Sequence, residues 1–238
     1  VQIILDGSQA SGGDAQGDVL TGIERVIGSG FNDIIIGNSG AEQFDGGAGN
    51  DLLNSGAGSD TLNGGTGDDT LIGGSGVDML DGGAGYNTAD YAGSSAAVAI
   101  DLVLGSGTGG DAQGDTLANI QRVIGSAGDD VLTGTASDER LDGGGGDDTV
   151  RGGAGNDMLT GGGGDDSIVG GAGADTIDGG SGIDTVDYNA SGAAVTVYLD
   201  GRTGLGGEAQ GDVVTNVEQA IGSGYADVLV GNSGLDTL

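Results

Sequence analysis

Gly46-Gly47-Ala48-Gly49-Asn50-Asp51-Leu52-Leu53-Asn54 is the stretch that decides how this chain is read, because its nine-residue pattern recurs around it in unbroken phase. Residues 28–90 divide into seven nonapeptides without an insertion, residues 125–187 divide into seven more, and a third series runs from Gly222 to Leu238. Position 1 of the fourteen complete units is glycine except at Ser55, and position 4 is glycine except at Phe31 and Ser137. Position 6 is acidic: Asp33, Glu42, Asp51, Asp60, Asp69 and Asp78 in the first block, then Asp130, Glu139, Asp148, Asp157, Asp166, Asp175 and Asp184 in the second. Asn87 alone breaks that series, and Asp227 and Asp236 continue it in the third block. Position 8 is always apolar, from Ile35 and Phe44 to Ile177 and Val186. Composition alone, with 59 glycines and a net charge of −32, suggests a disordered acidic coil. A disordered tract has no reason to hold one apolar residue in phase over fourteen units.

The unit reads as a six-residue turn followed by a three-residue strand. Glycines in the turn permit positive φ and close backbone approach. In the strand, position 8 points inward and positions 7 and 9 outward. Two nonapeptides make one 18-residue coil, and coils stack as parallel strands about 4.8 Å apart. Stacking places Asp51 near Asp69 and Asp60 near Asp78, and like charges so placed repel. A hard divalent cation between the turns reverses the sign, and an all-oxygen shell of six to eight ligands is what Ca²⁺ selects. With no His and no Cys, zinc and copper are poor candidates. Seven units per block offer five i, i+2 pairs, so two blocks offer up to ten sites.

Segments such as Gly46–Asn54 and Gly152-Gly153-Ala154-Gly155-Asn156-Asp157-Met158-Leu159-Thr160 resemble the repeats-in-toxin (RTX) nonapeptide G-G-x-G-x-D-x-U-x, a known calcium-binding signature. The resemblance implies an all-β, right-handed parallel β-roll or solenoid with several Ca²⁺ ions between turns on both edges. It makes the position-6 carboxylates of all three blocks the metal ligands, together with glycine-rich backbone carbonyls. It also implies type I secretion and folding outside the cell. Glu42 and Glu139 are a methylene longer than aspartate, Asn87 lacks the charge, and the first two units of each block lack the second glycine. Sites at block ends are therefore expected to be weaker or missing.

A longer period encloses the short one. Gly12-Gly13-Asp14-Ala15-Gln16-Gly17-Asp18 recurs at 109–115 and, with Glu208, at 206–212, both steps being 97 residues. The chain thus divides into a partial spacer (1–27), a block (28–90), a spacer (91–124), a block (125–187), a spacer (188–221) and the start of a third block (222–238). Each spacer opens with the alternation of a half-buried strand, Val98-x-Ile100-x-Leu102 and Val195-x-Val197-x-Leu199. Leu117, Ile120 and Ile124 fit either a short helix or irregular strands, and the absence of a helix stop signal before Gly125 favours strands. Asp111 and Asp115 read equally as a further cation site or a solvated turn. Tyr91 and Tyr188 read as packing residues where roll meets spacer, not as a ligand platform. The spacers also resemble those of very large RTX surface proteins.

Five arginines and no lysine leave no basic patch, which excludes nucleic acid and anionic membrane surfaces as partners. No apolar run reaches the roughly 18 residues of a spanning helix. A Ser-His or Cys-His nucleophile cannot be assembled without His or Cys. The match of Gly105-x-Gly107-x-x-Gly110 to a dinucleotide fingerprint is chance in so glycine-rich a chain. Paired carboxylates would formally serve a glycosidase, but their turn register favours calcium. No catalytic residue is expected. The chain opens at Val1 without a methionine or signal peptide and stops at a position 8, Leu238. The expectation is a segment of a longer or processed protein, rod-like, whose open ends self-associate. Structural material of an adhesin, surface layer or filament fits three module copies best. The alternative is the secretion and folding module of a protease or lipase.

Overall fold

A computed structural model describes residues 1–238, and it is all-β. Three single-turn 3-10 segments, Gly13–Ala15, Gly110–Ala112 and Gly207–Ala209, are its only helical elements. No helix is long and apolar enough to cross a membrane. The chain forms two units, Val1–Val123 and Ile124–Leu238.

In the first unit the nonapeptides alternate between two parallel ladders. One stacks Ile34–Ile36, Leu52–Asn54, Thr70–Ile72 and Thr88–Asp90, with Ile35 over Leu53, Leu71 and Ala89. The other stacks Arg25–Ile27, Gln43–Ala48, Thr61–Thr66 and Met79–Asp81, with Val26 over Phe44, Leu62 and Leu80. The second unit repeats this. Leu132, Val150, Ile168 and Val186 form one column, and Leu141, Leu159 and Ile177 the other. The 18-residue coil read from the sequence is therefore the stacking unit, and these columns are the core. Leu53, Leu62, Leu71, Leu132, Leu141, Leu159 and Ile168 are all fully buried. Each such side chain contributes about 1.5–3 kcal/mol by leaving water.

The strand is longer than the three residues expected from the pattern. Gln43–Ala48, Thr61–Thr66 and five strands of the second unit run six residues, through positions 1 to 3 of the next repeat. Each of these crosses a Gly-Gly pair. Gly47, at φ 99°, still pairs with Gly65, in a backbone conformation that a side chain would strain. Where position 2 is Ser29, Asn38 or Thr135 the strand stops at position 9.

The spacers contain strands where a short helix was the other reading. Leu117 lies in Thr116–Ala118, which joins the stack directly on Met79–Asp81, and Val213–Thr215 joins on Thr176–Ser181 in the same way. Ile120 is buried beyond the strand, and Ile124 ends the strand Arg122–Ile124. Ala99–Asp101 pairs antiparallel with Ser106–Thr108, so the spacer folds out as a hairpin before the roll resumes.

Candidate metal centres

Position 6 lies in the turn, and its side chain is drawn beneath the coil by the backbone it serves. All thirteen acidic side chains at this position, Asp33 to Asp78 and Asp130 to Asp184, are only 0–3% exposed. One oxygen of each inner carboxylate accepts the position-6 N–H of the preceding coil. Asp33 N–H donates to Asp51 Oδ1 at 2.7 Å, Asp51 to Asp69 at 2.8 Å, Glu42 to Asp60 at 2.8 Å and Asp60 to Asp78 at 2.9 Å. The second unit has the same bonds into Asp148, Asp166 and Asp184 on one edge and Asp157 and Asp175 on the other. The aspartate therefore has a structural task independent of any ligand.

Its second oxygen has none. Glu42 Oε2 and the Oδ2 atoms of Asp51, Asp60, Asp69, Asp78, Asp148, Asp157, Asp166, Asp175 and Asp184 are buried with no hydrogen-bond partner. Except at Asp60, whose turn has Ser55 at position 1 with its hydroxyl donating to the Gly73 carbonyl at 2.8 Å, each aspartate's free oxygen looks at the position-1 glycine of its own turn, and for Asp51, Asp69, Asp148, Asp157 and Asp166 also at the carbonyl of the position-1 glycine one coil on. A Cβ on Gly46 would lie 2.4 Å from Asp51 Oδ2 and 2.6 Å from the Gly64 carbonyl oxygen. On Gly143 it would lie 2.2 Å from Asp148 Oδ2 and 2.6 Å from the Gly161 oxygen. Glycine is required here by the oxygens that converge on its α-carbon. Burial, reinforced by the carboxylates of neighbouring coils, pushes Asp78 and Asp166 up to about 6, and Asp148 and Asp157 up to about 7. No three acidic side chains converge on one point. The cradle is one carboxylate oxygen among backbone carbonyls, a hard, oxygen-only set that fits calcium and suits neither zinc nor copper.

The family profile described as the RTX calcium-binding nonapeptide repeat matches residues 18–53, 54–89, 119–150, 151–186 and 218–238, well over half of the chain. The chain belongs to this RTX family. Its repeats are calcium-binding, in multiple copies. No curated protein matches the chain.

Within this RTX segment the ends of the rows differ from the middle. Asp130 Oδ2 accepts the Ser126 N–H and its Oδ1 the Ser126 hydroxyl at 2.8 Å. Asp33 is held the same way by Ser29 and also meets the Val1 ammonium. Glu139 takes the Thr135 N–H at 2.9 Å and the Thr135 hydroxyl. The Ser or Thr that replaces the second glycine thus supplies the donor that the inner carboxylates lack. Asp227 and Asp236 are only partly buried. Asp227 Oδ1 accepts the Ser223 hydroxyl at 2.6 Å and the Val195 N–H at 2.9 Å, and Asp236 Oδ2 accepts the Asn232 N–H at 3.0 Å.

Two features go beyond the sequence reading. Asp115 and Asp212, from the spacers, take the place of a position-6 aspartate. Their Oδ1 atoms accept the N–H of Asp78 and Asp175 at 2.8 and 2.9 Å. Both are 1% exposed, so the solvated-turn reading of Asp115 fails, while Asp111 is half-buried beside it. Tyr91 and Tyr188 pack at the junction as expected, but their hydroxyls also donate to Asp115 Oδ2 at 3.0 Å and Asp212 Oδ2 at 2.7 Å. Burial raises both phenols further from ionisation, so they remain donors. The signal was present: Gly114-Asp115-Thr116-Leu117-Ala118 reads as the D-x-U-x half of a nonapeptide. The second feature is an outer ladder at position 5. Asn32 accepts the Asn50 N–H, Asn50 the Asp68 N–H, and Asp129 and Asp147 the N–H groups of Asp147 and Asp165, at 2.8–3.0 Å. These side chains reach forward to the next coil where position 6 reaches back.

Proposed function

We propose that this RTX segment is a structural element of a secreted or cell-surface protein, and that it becomes a roll only when calcium fills the edges between its turns. The observation that carries the reading is the set of ten carboxylate oxygens in the two blocks that are buried without a donor. Leaving such groups unpaired costs several kcal/mol each, and a cation shared with the facing glycine carbonyls offsets that cost. Asp51, Asp69, Asp78, Asp148, Asp157, Asp166, Asp175 and Asp184, with Glu42, are the ligands, and Asp60 is a weaker one because Ser55 stands at position 1 of its turn. Asp33, Asp130 and Glu139, already satisfied, bind weakly, and so does the partly buried Asp227, while Asp236 keeps one oxygen, Oδ1, without a donor. Repetition of a whole 97-residue module, each copy carrying its own rows, supports a structural role over that of a single tail for a catalytic domain.

Extracellular calcium modules have dissociation constants of about 10⁻⁴–10⁻³ M. Calcium titration of the chelated chain, followed by sheet circular dichroism, should therefore show a folding midpoint in the range of roughly 0.1–1 mM. A submicromolar midpoint would place folding inside the cell and contradict the proposed role.

A further inference from the structure

The spacer closes two equivalent rows in different ways. In the first unit the row Asp33, Asp51, Asp69 ends on Asn87, which is 0% exposed. Its Oδ1 accepts the Asp69 N–H at 3.0 Å, as an aspartate would, while its Nδ2 donates to the Asn119 carbonyl at 3.1 Å. That end is satisfied without an ion. Asn119 presents its carbonyl through a left-handed backbone, φ 55°, and is pinned by its own Nδ2 bond to Asp81 at 2.7 Å. Asparagine tolerates this conformation better than most residues.

The second unit repeats that backbone. Asn216 has φ 52° and donates through Nδ2 to Asp178 at 2.8 Å. Asn119 and Asn216 are the only non-glycine residues with positive φ, so the inward carbonyl is a specified feature of each spacer. The side chain that meets it has changed. Asp184 stands where Asn87 stood, and Glu218 stands where Gln121 stood. The Glu218 carboxylate accepts the Asp184 N–H at 3.0 Å, as the Gln121 amide oxygen accepts the Asn87 N–H at 2.8 Å. Asp184 Oδ1 accepts the Asp166 N–H at 2.9 Å, but its Oδ2, on a side chain 0% exposed, has no donor. A Cβ on Gly179 would lie 2.0 Å from the Asn216 carbonyl oxygen and 2.7 Å from Asp184 Oδ2. Two acceptors therefore share the space in which the first unit makes an amide–carbonyl hydrogen bond, and two neutral amides have become two carboxylates.

We propose that Asp184 Oδ2 and the Asn216 carbonyl form a further calcium site, completed by the spacer instead of by a second glycine turn, and that Asn87 closes its counterpart in the first unit. The inference rests on the reading that the donorless oxygens of the rows hold calcium. The partner rows offer no such site, since Tyr91 and Tyr188 already donate to the last carboxylate in both units.

Equilibrium dialysis of the full chain against calcium tests this. Asp184→Asn recreates the Asn87 bonding pattern, so it should bind one calcium fewer than the wild type while keeping its sheet signal at saturating calcium. Asn87→Asp should bind one more. Unchanged stoichiometry in both variants overturns the proposal and leaves a proton shared between Asp184 and the Asn216 carbonyl. A wild-type chain that binds no calcium overturns the wider reading as well, and so is distinguishable from failure of this site alone.

Discussion

In excess chelator at about pH 7.5 the chain should lose its parallel-sheet circular dichroism signal, and acidifying the metal-free chain to about pH 4 should restore part of it. The first half follows from the rows of buried carboxylates, whose mutual repulsion nothing then offsets. The second follows from the direction of their titration. Burial and neighbouring carboxylates raise Asp78, Asp166 and Asp212 to about 6 and Asp148 and Asp157 to about 7, from 3.8. Between 3.8 and those values the fold holds more protons than the unfolded chain, so stability falls as pH rises across that window. It is fully present below the unfolded value and lost by about pH 7. A protonated Oδ2 can donate to the glycine carbonyl facing it, which is the contact a cation otherwise makes. With calcium present the dependence reverses, because acid competes for the same oxygens. A sheet signal in chelator that is the same at both pH values would contradict this account.

Asp51→Ala should destabilise the calcium-loaded chain by roughly 4–6 kcal/mol, against about 1 kcal/mol for Asp33→Ala, in urea denaturation at saturating calcium. The Asp51 substitution removes an acceptor from the buried Asp33 N–H and a free oxygen from the row. A buried donor left alone costs about 1–3 kcal/mol, and a site held at 100 times its dissociation constant contributes about 2.7 kcal/mol. Asp33 has no free oxygen, since Ser29 and Val1 occupy both, and the donor it takes from the preceding strand is the partly exposed Val1 ammonium and not a buried backbone N–H. Gly143→Ala provides the complementary test. Its methyl group would occupy the space between Asp148 Oδ2 and the Gly161 carbonyl, so calcium binding should be lost there although every carboxylate remains. Equal effects of the two aspartate substitutions would argue against ligands aligned along the stacked coils.

The period-nine pattern made position 8 and position 6 legible because each is under a single demand, an apolar interior or a buried carboxylate, repeated without interruption. The glycines were legible as turn formers, but their stronger constraint at Gly46 and Gly143 is the approach of two oxygens, which no sequence pattern states. The position-5 ladder was not legible: any side chain with an acceptor serves there, and Asn, Asp, Ser, Ala, Val, Tyr and Ile all occur. Asp115 was read as a cation site or a solvated turn, and its place in the position-6 row was not legible because the spacer stretches its step to 37 residues where the repeat takes 18, which carries it out of phase. Asn87 was read only as a missing charge. In the fold it is a hydrogen-bonding plug, an assignment that required the left-handed Asn119 to be seen beneath it.

Anomalous scattering from crystals grown in millimolar calcium tests the central claim most directly, because it locates the ion against individual oxygens. The account predicts a peak about 2.3–2.6 Å from the free oxygen of each mid-row carboxylate. These are Asp51 and Asp69 in the first unit and Asp148, Asp157 and Asp166 in the second, with a position-1 glycine carbonyl of the next coil in the same shell. Rows without peaks, in which those oxygens instead bond to water or to a protonated neighbour, would contradict it.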